Sequence, residues 1–550
     1  MINVGISRGH NASVALLIDG EIIFHIENER LSNIKYDWFP FLALNKIKDY
    51  VDHVDNVCIG GVAPKTSVDC FSDLDPYTTF IRGLNKSFYS HPIKVYDLWR
   101  EHHKLHAACA FYNSGFEKAV CIIKDGMGSD YPITHSSFLP DTYGRECAST
   151  YVTEYPNKFT LIDKHVIVPF ECDTKIDDVI RVSNHASEAL AFQKTSKEFG
   201  FHELDAGKVM GLSSYGKEQT HVIFDGDYVS KDIVRFADED LRKGYLNTKI
   251  PHDFQKEADF AYSLQQQSQA KVKEYILRMV EKTGCKNVCL SGGFFLNCVA
   301  NYEYLKDLPS DIKIYVEPIS SDAGTSIGAA QYVWHTETED TTIRKQKSIY
   351  YGFEYKLTSQ DIYNHLQEGE SIQQVEASDV AKLIANKNIV AIYQGRSEAG
   401  PRALGNRSIL YDPRDENGKD FVNEIKQREM FRPFAGTILH EHTDEWFHMR
   451  GLEESPFMMY AVDVKRKEIP AITHVDNTCR VQTLKKEQNY HYYRLIEEFY
   501  NLTDVPILFN TSFNLAGDCI VETIDDALRT IRNCSIKYLY LPELKILITK

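Results

Sequence analysis

No run of apolar residues in this 550-residue chain approaches the length of a membrane span. No basic leader precedes an apolar stretch at its start, so MINVGISRGHNASVALL reads as a first strand and not as a signal peptide. The twelve cysteines are scattered without a CxxC pair or regular spacing, and they read as reduced core residues of a cytoplasmic protein. Repeats of fixed period and low-complexity tracts are missing, which excludes a solenoid or a propeller. A basic excess is missing as well. Against 62 Lys and Arg stand 78 Asp and Glu, a net charge of −16 that disfavours any sequence-independent grip on nucleic acid. Two signatures of well-known chemistry fail. GxSxG occurs at Gly5–Gly9 and at Gly324–Gly328, but no Ser/His/Asp set is read around either Ser7 or Ser326. Gly207-Lys208 is no P-loop, because His202 stands where the motif needs Gly and Val209 where it needs Ser or Thr.

What is present is ordinary globular material, 43% hydrophobic and 25% charged, in a chain long enough for two or three domains. INVGIS, SVALLI and GEIIFHIENER read as three strands, with a turn at Gly9-His10-Asn11 and a hairpin at Asp19-Gly20. Residues 96–113 fit a helix ending at Asn113-Ser114-Gly115. AVCIIKDGMGS reads as a buried strand that delivers Asp125 into a Gly-rich turn, a second strand–turn unit like the first. Two such units suggest an internally duplicated nucleotide-binding fold. After a helical stretch at 262–282, NVCLSGGFFLNCVANYEYL and KIYVEPISSDAGTSIGAAQYVW each read strand, Gly turn, helix, the layout of an α/β domain with a ligand crevice. Residues 336–349 lack apolar periodicity and read as a linker. Beyond them, a helical stretch at 378–387 and the buried strands NIVAIYQG and VPILFNTSFN indicate a second domain of mixed α/β character with much β structure.

Several groups carry candidate chemistry. His102 and His106 stand at i and i+4 of a helix and share a face, a spacing that suits two imidazoles on one metal, although a bare HxxxH pair is more often incidental. His103 is a further candidate. Asp125 and Asp322, both at strand-to-turn junctions, complete a set of two His and one or two carboxylates fit for Fe(II), Mn or Zn with open positions. His10 fits a general base beside that site or a hydrogen-bonded turn histidine. Gly292-Gly293 ahead of a helix fits a phosphate contact or a tight turn equally well. Arg396, Arg402, Arg407 and Arg414, followed by Lys426, Arg428 and Arg432, sit among Gly, Pro and aromatics. With Asn510, Thr511, Ser512 and Asn514 they suit a small anion better than a solvated face.

Taken together, GHNASVALLIDG, ENERLSNIKYD, HHKLHAACAFY, DGMG, GKVMGLSSYG, SGGFFLNCVAN, SSDAGTSIGAA, GPRALGNRSIL, REMFRPFAG, THVDNTCRVQT and NTSFN occur in an order that resembles the NodU/CmcH family of O-carbamoyltransferases over nearly the full length. The resemblance implies a TsaD-like ASKHA domain, duplicated and actin-like, over residues 1–345. It implies a YrdC-like twisted-sheet α/β domain over 346–550. The second domain would convert carbamoyl phosphate and ATP into carbamoyl adenylate, and the first would pass the carbamoyl group to a hydroxyl of a small-molecule acceptor: a sugar, a natural product or a nucleotide. By motif position, metal ligands fall on His102, His106, Asp125 and Asp322, for Fe(II) or a similar divalent metal, with Mg2+ as a further candidate. The catalytic base falls on His10. Nucleotide contacts fall on Gly128, Lys208, Gly292, Gly293 and Asn297, and carbamoyl phosphate contacts on Arg402, Lys426, Arg432, Asn510 and Ser512. Asn11 stands where the family commonly has Asp, Tyr36 where it commonly has His, and Gly517-Asp518-Cys519 where it commonly has a Gly-Glu-Pro tripeptide. The resemblance therefore carries no acceptor identity across. A homodimer is the statistical default for the assembly.

Overall fold

The computed structural model describes residues 1–62, 75–133, 142–237 and 240–550. Among these no helix is long and apolar enough to cross a membrane. The chain divides into two compact units, Met1–Asn28 with Tyr36–Gln346, and Glu29–Lys35 with Lys347–Lys550. The short segment Glu29–Lys35 groups with the second unit through polar contacts its sequence does not advertise. Arg30 donates to the Gly400 carbonyl at 2.8 Å, and Asn33 is held by Asp526 and Arg529 at 3.1 and 3.0 Å.

The first unit contains two sheets of one design. In the first, β1 (Ile2–Arg8), β2 (Ser13–Ile18) and β3 (Glu21–Glu27) run antiparallel, while β4 (Asn56–Gly61) and β5 (Lys94–Asp97) run parallel to β1 on its other side, giving the order β3-β2-β1-β4-β5. In the second, Lys118–Lys124 takes the place of β1. Thr142–Glu154 and Lys158–Ile167 follow antiparallel on one side, and Asn287–Ser291 and Lys313–Val316 parallel on the other. The same five-strand path thus occurs twice, and the mixed α/β fold is duplicated as the paired strand–turn motifs suggested. Asp125 directly follows the second central strand, and His10 stands two residues beyond the end of β1. Several boundaries differ from the sequence expectation: GEIIFHIENER is strand only to Glu27 and turns into helix Asn28–Ser32, and helix Gly324–Thr338 runs three residues into the segment read as a linker. Lys94–Asp97 closes the first sheet as β5, and the helix begins only at His102, because KVYD pairs in register with Asn56–Ile59.

Helix His102–Ser114 packs on helix Gly324–Thr338 and on strands of the second sheet, and helix Gly324–Thr338 lies across β1, β2 and β4. Small residues set these distances. A Cβ on Gly328 would lie 2.0 Å from the Leu105 carbonyl oxygen, and one on Gly5 would lie 1.9 Å from that of Ser326. Neither oxygen can yield without moving its helix, so the glycines let the backbones approach. Because Leu105 lies next to His106 and Gly328 six residues after Asp322, this approach also sets the spacing of those side chains. Gly328→Ala is expected to lower stability by about 2–3 kcal/mol through overpacking. The check is urea unfolding, with the midpoint falling at unchanged slope.

The second unit is built on one ten-stranded mixed sheet. Its middle runs Tyr538–Leu541, Val390–Tyr393, Arg407–Tyr411, Ile507–Ser512, Ala435–Leu439, Thr478–Leu484. Helices Ala377–Ala385 and Tyr490–Thr503 pack together, and the second also lies on the strands Ala435–Leu439 and Ile507–Ser512. Ile409, Leu410, Ile507, Leu508, Phe509 and Ile438 are buried at its centre.

Candidate active site

Three segments of the first unit bring the four expected ligands together. Helix His102–Ser114 places both imidazoles on one face, the turn after Lys118–Lys124 supplies Asp125, and the loop before helix Gly324–Thr338 supplies Asp322. All four side chains are buried, and one donor atom from each lies within 4.8 Å of all the others. His102 Nε2 is 3.4 Å from Asp125 Oδ2 and 3.5 Å from Asp322 Oδ1, and His106 Nε2 is 3.6 Å from Asp322 Oδ1. The supports are specific. Asp125 Oδ1 accepts the Gly293 amide at 3.1 Å, and His106 Nδ1 lies 3.4 Å from Ser291 Oγ, which leaves Nε2 to face Asp322. The loop carrying Asp322 is held at its start, where buried Glu317 accepts the Ile319 amide at 3.0 Å.

The electrostatics are those of a cation site. Burial disfavours a charged His102, yet the Asp322 charge and the Asp125 hydrogen bond outweigh it and push His102 up to about 10. Burial and the Asp322 charge raise Asp125, but His102 and His106 bring it down to about 2. Against burial, His10 and His102 hold Asp322 well below the usual carboxylate range. His106 Nε2 and Asp322 Oδ2 are buried without a hydrogen-bond partner among the described residues, an expensive state for polar atoms unless something charged sits between them. Two imidazoles and two carboxylates suit a first-row divalent ion, so the residues present fit such a metal.

His10 stands at the edge of the cluster, its side chain 30% exposed and its Nε2 3.7 Å from Asp322 Oδ2. It follows Gly9, whose φ of +124° makes the sharp turn off β1. His103 points elsewhere: its Nδ1 lies 2.8 Å from Ser149 Oγ, and burial brings its pKa down to about 3, so it stays neutral.

The residues expected to contact nucleotide are only partly gathered. Gly293 touches Asp125, and Gly292 (φ +99°) must be glycine because a Cβ would lie 2.4 Å from the Lys124 carbonyl oxygen. Gly128 donates its amide to the Glu146 carbonyl at 2.7 Å. Asn297 caps helix Cys298–Asp307 and exchanges amide hydrogen bonds with Gln265, a residue the sequence reading did not single out. Lys208 pairs with Asp205 at 3.0 Å, and Asp205 also accepts from the Tyr36 hydroxyl at 3.0 Å.

The second unit gathers a cluster of cations around Lys426. Its ammonium donates to the Ser512 carbonyl, to the Asn514 carbonyl at 2.7 Å and to Asn514 Oδ1 at 3.1 Å. Burial, with Arg428 and Arg432 alongside, depresses Lys426 well below the ordinary lysine range. Burial, Arg432 and Arg480 do the same to Arg428. Asn510 donates to the carbonyl of Ala403, the residue after Arg402 in the chain, at 3.2 Å, and its own Oδ1 is buried without a hydrogen-bond partner among the described residues. Ser512 Oγ donates to Asn514 Oδ1 at 2.7 Å. Crowded, desolvated cations of this kind are poised for an anion. Arg480 is a member that sequence reasoning missed. Three arginines grouped with the anion site are engaged within the fold. Arg407 is fully buried and donates to the carbonyls of Gln394, Gly395, Asn406 and Glu522, Arg396 to those of Tyr351 and Gly352, and Arg414 pairs with Asp412 at 2.6 Å.

The chain is similar to known proteins over parts of both units. Residues 79–331 match the family description "Carbamoyltransferase N-terminus", and residues 381–548 match "Carbamoyltransferase C-terminus". The nodulation protein NolNO of Sinorhizobium fredii is 31% identical over 95% of this chain and 76% of its own length. The 3'-hydroxymethylcephem-O-carbamoyltransferase of Amycolatopsis lactamdurans is 26% identical over 96% of this chain and 95% of its own. Full-length HypF in its phosphate- and nucleotide-bound form overlays 61% of this chain and 56% of its own at 16% identity, with a TM-score of 0.37. With both family segments present and these two relatives matched over 95% and 96% of the chain, it belongs to the NodU/CmcH family and is a carbamoyltransferase.

Proposed function

We propose that the chain is an ATP-dependent O-carbamoyltransferase that performs two half-reactions, one on each unit. The observation that carries this reading is the buried His102–His106–Asp125–Asp322 cluster with the half-buried His10 at its edge.

In the second unit, water splits carbamoyl phosphate into carbamate and inorganic phosphate. A carbamate oxygen then attacks the α-phosphorus of ATP, and pyrophosphate leaves, giving carbamoyl adenylate. Lys426, Arg428 and Arg432, with Arg402, neutralise the anions that meet there. The mixed anhydride gives the carbamoyl carbon a good leaving group, which free carbamate lacks.

In the first unit, His102, His106, Asp125 and Asp322 would hold a divalent metal, Fe(II) or a similar ion. Such an ion supplies positive charge for the phosphate oxygens of the departing AMP. His10 takes the proton from the acceptor hydroxyl while that oxygen bonds to the carbamoyl carbon and the bond to AMP breaks. The Gly293 amide fixes Asp125 and so the orientation of the cluster. The acceptor is a small molecule bearing a hydroxyl, and the relative named for O-carbamoylation of a hydroxymethylcephem supports that class.

His10→Ala is expected to slow transfer by about 10²–10⁴-fold, the usual contribution of a general base, while leaving carbamoyl phosphate-dependent pyrophosphate release intact. The assay is mass spectrometry of hydroxylated sugars, nucleotides and natural products for the added carbamoyl group, beside a pyrophosphate assay with and without carbamoyl phosphate. Pyrophosphate release independent of carbamoyl phosphate would sink the donor half of the reading, and undiminished transfer by the His10 variant would remove that residue from its role.

A further inference from the structure

We infer a second metal site, outside the catalytic cluster, formed by His53, Asp55 and His91 at the opposite end of the first sheet. One donor atom from each of these residues lies within 4.8 Å of the other two, and their side chains are 37%, 31% and 34% exposed. His53 and Asp55 immediately precede β4, and His91 precedes β5. These strands are parallel neighbours paired from Asn56 and Lys94 onward. The cluster therefore sits at the N-terminal ends of the strands, whereas His10 follows the C-terminal end of β1.

The hydrogen bonds around the three residues are those that orient ligands. His53 Nδ1 lies 2.8 Å from Asp52 Oδ1, so Nδ1 carries the proton and Nε2 is left as the donor, the arrangement in which a carboxylate fixes a metal-binding imidazole. Asp55 Oδ2 accepts the Ile2 amide at 2.7 Å, which pins the carboxylate and presents Oδ1. His91 Nε2 lies 3.0 Å from that Oδ1, and the rings of His53 and His91 are 4.5 Å apart between centroids. Tetrahedral zinc with bonds of about 2.0–2.1 Å spaces its ligand atoms about 3.3 Å apart, so half-exposed side chains reach that geometry by small rotamer adjustments. Two imidazoles, one carboxylate and a fourth position open to water favour Zn2+ over Mg2+ or Ca2+, which prefer oxygen. A bound ion displaces the proton between His91 and Asp55 and ties together the starts of β4 and β5 and, through the Ile2 amide, of β1. It acts on stability and not on the reaction.

The test is a zinc count on the full-length protein after equilibrium dialysis against Zn2+ alone, with thermal melting alongside. Wild type is expected to hold one equivalent more than His53→Gln/His91→Gln, and its melting temperature to rise with Zn2+ by several degrees more. Pyrophosphate release should be equal in the two proteins. Asp52→Asn, which removes only the orienting carboxylate, is expected to weaken this equivalent by about 10–100-fold. The same equivalent should survive in His102→Gln/His106→Gln, which separates this site from the catalytic cluster. An unchanged zinc count in His53→Gln/His91→Gln, or an unchanged melting response, would overturn the inference.

Discussion

Asp322→Asn is expected to reduce carbamoyl transfer by at least about 10³-fold, roughly 4 kcal/mol of barrier, while carbamoyl phosphate-dependent pyrophosphate release persists. Asp322 faces His102, His106 and His10 together, at 3.5, 3.6 and 3.7 Å. The substitution keeps the shape but halves the negative charge of the cluster. The share of the pull on His102 that comes from Asp322 goes with it, and so does half the charge available to an ion. Metal content, measured after dialysis, should therefore fall with activity. A drop in transfer with full metal content would place Asp322 in the handling of His10 instead. The variant is expected to stay folded, because Asp125 still faces His102 at 3.4 Å and the loop before Asp322 remains held through Glu317 and Ile319.

Three of these four side chains were legible because His102, His106 and Asp125 sit where local rules fix their direction, whereas Asp322 lies in the loop six residues beyond strand Lys313–Val316 and was placed by motif order. Two imidazoles one helical turn apart share a face, and an Asp at the end of a buried strand projects from the sheet edge. Spacing could not choose between His102/His106 and a pairing that used His103, since the choice depends on which face of the helix meets the turn at Asp125. The internal duplication was legible as two strand–turn units, whereas β5 was not. KVYDLWREHHKLH carries no break before the helix, and only pairing with β4 makes its first residues a strand.

In the second unit the reading by composition grouped too many arginines. Gly, Pro and aromatic neighbours do not tell a guanidinium which carbonyls it will meet, and Arg407 meets four. Arg480 escaped notice for the opposite reason. In TCRVQTL it reads as one polar position of an alternating strand, and its proximity to Arg428 follows from strand order, which local pattern does not encode.

Lys426→Met is expected to lower carbamoyl phosphate-dependent pyrophosphate release by about 10²-fold, the worth of one buried charge-assisted hydrogen bond to an anion at about 3 kcal/mol. The fold should not suffer in proportion. Lys426 is buried beside Arg428 and Arg432, so its charge is a burden on the unliganded protein, and losing it relieves that crowding while forfeiting three hydrogen bonds to Ser512 and Asn514. A protein that melts within a few degrees of wild type but has lost activation is the signature of a group kept for its ligand. The pH dependence follows from the same depression. The folded pKa lies below the unfolded one, so the unfolded chain binds the extra proton more readily, and this lysine makes stability rise with pH until the unfolded lysine also titrates. An anion reverses the preference by stabilising the charged form. Binding of carbamoyl phosphate, or of inorganic phosphate used as a probe, should then take up a proton, and affinity should fall as pH rises through the depressed pKa of Lys426. Calorimetry in buffers of different ionisation enthalpy measures that proton directly. Phosphate binding that takes up no proton in wild type, or the same uptake in Lys426→Met, would detach Lys426 from the anion.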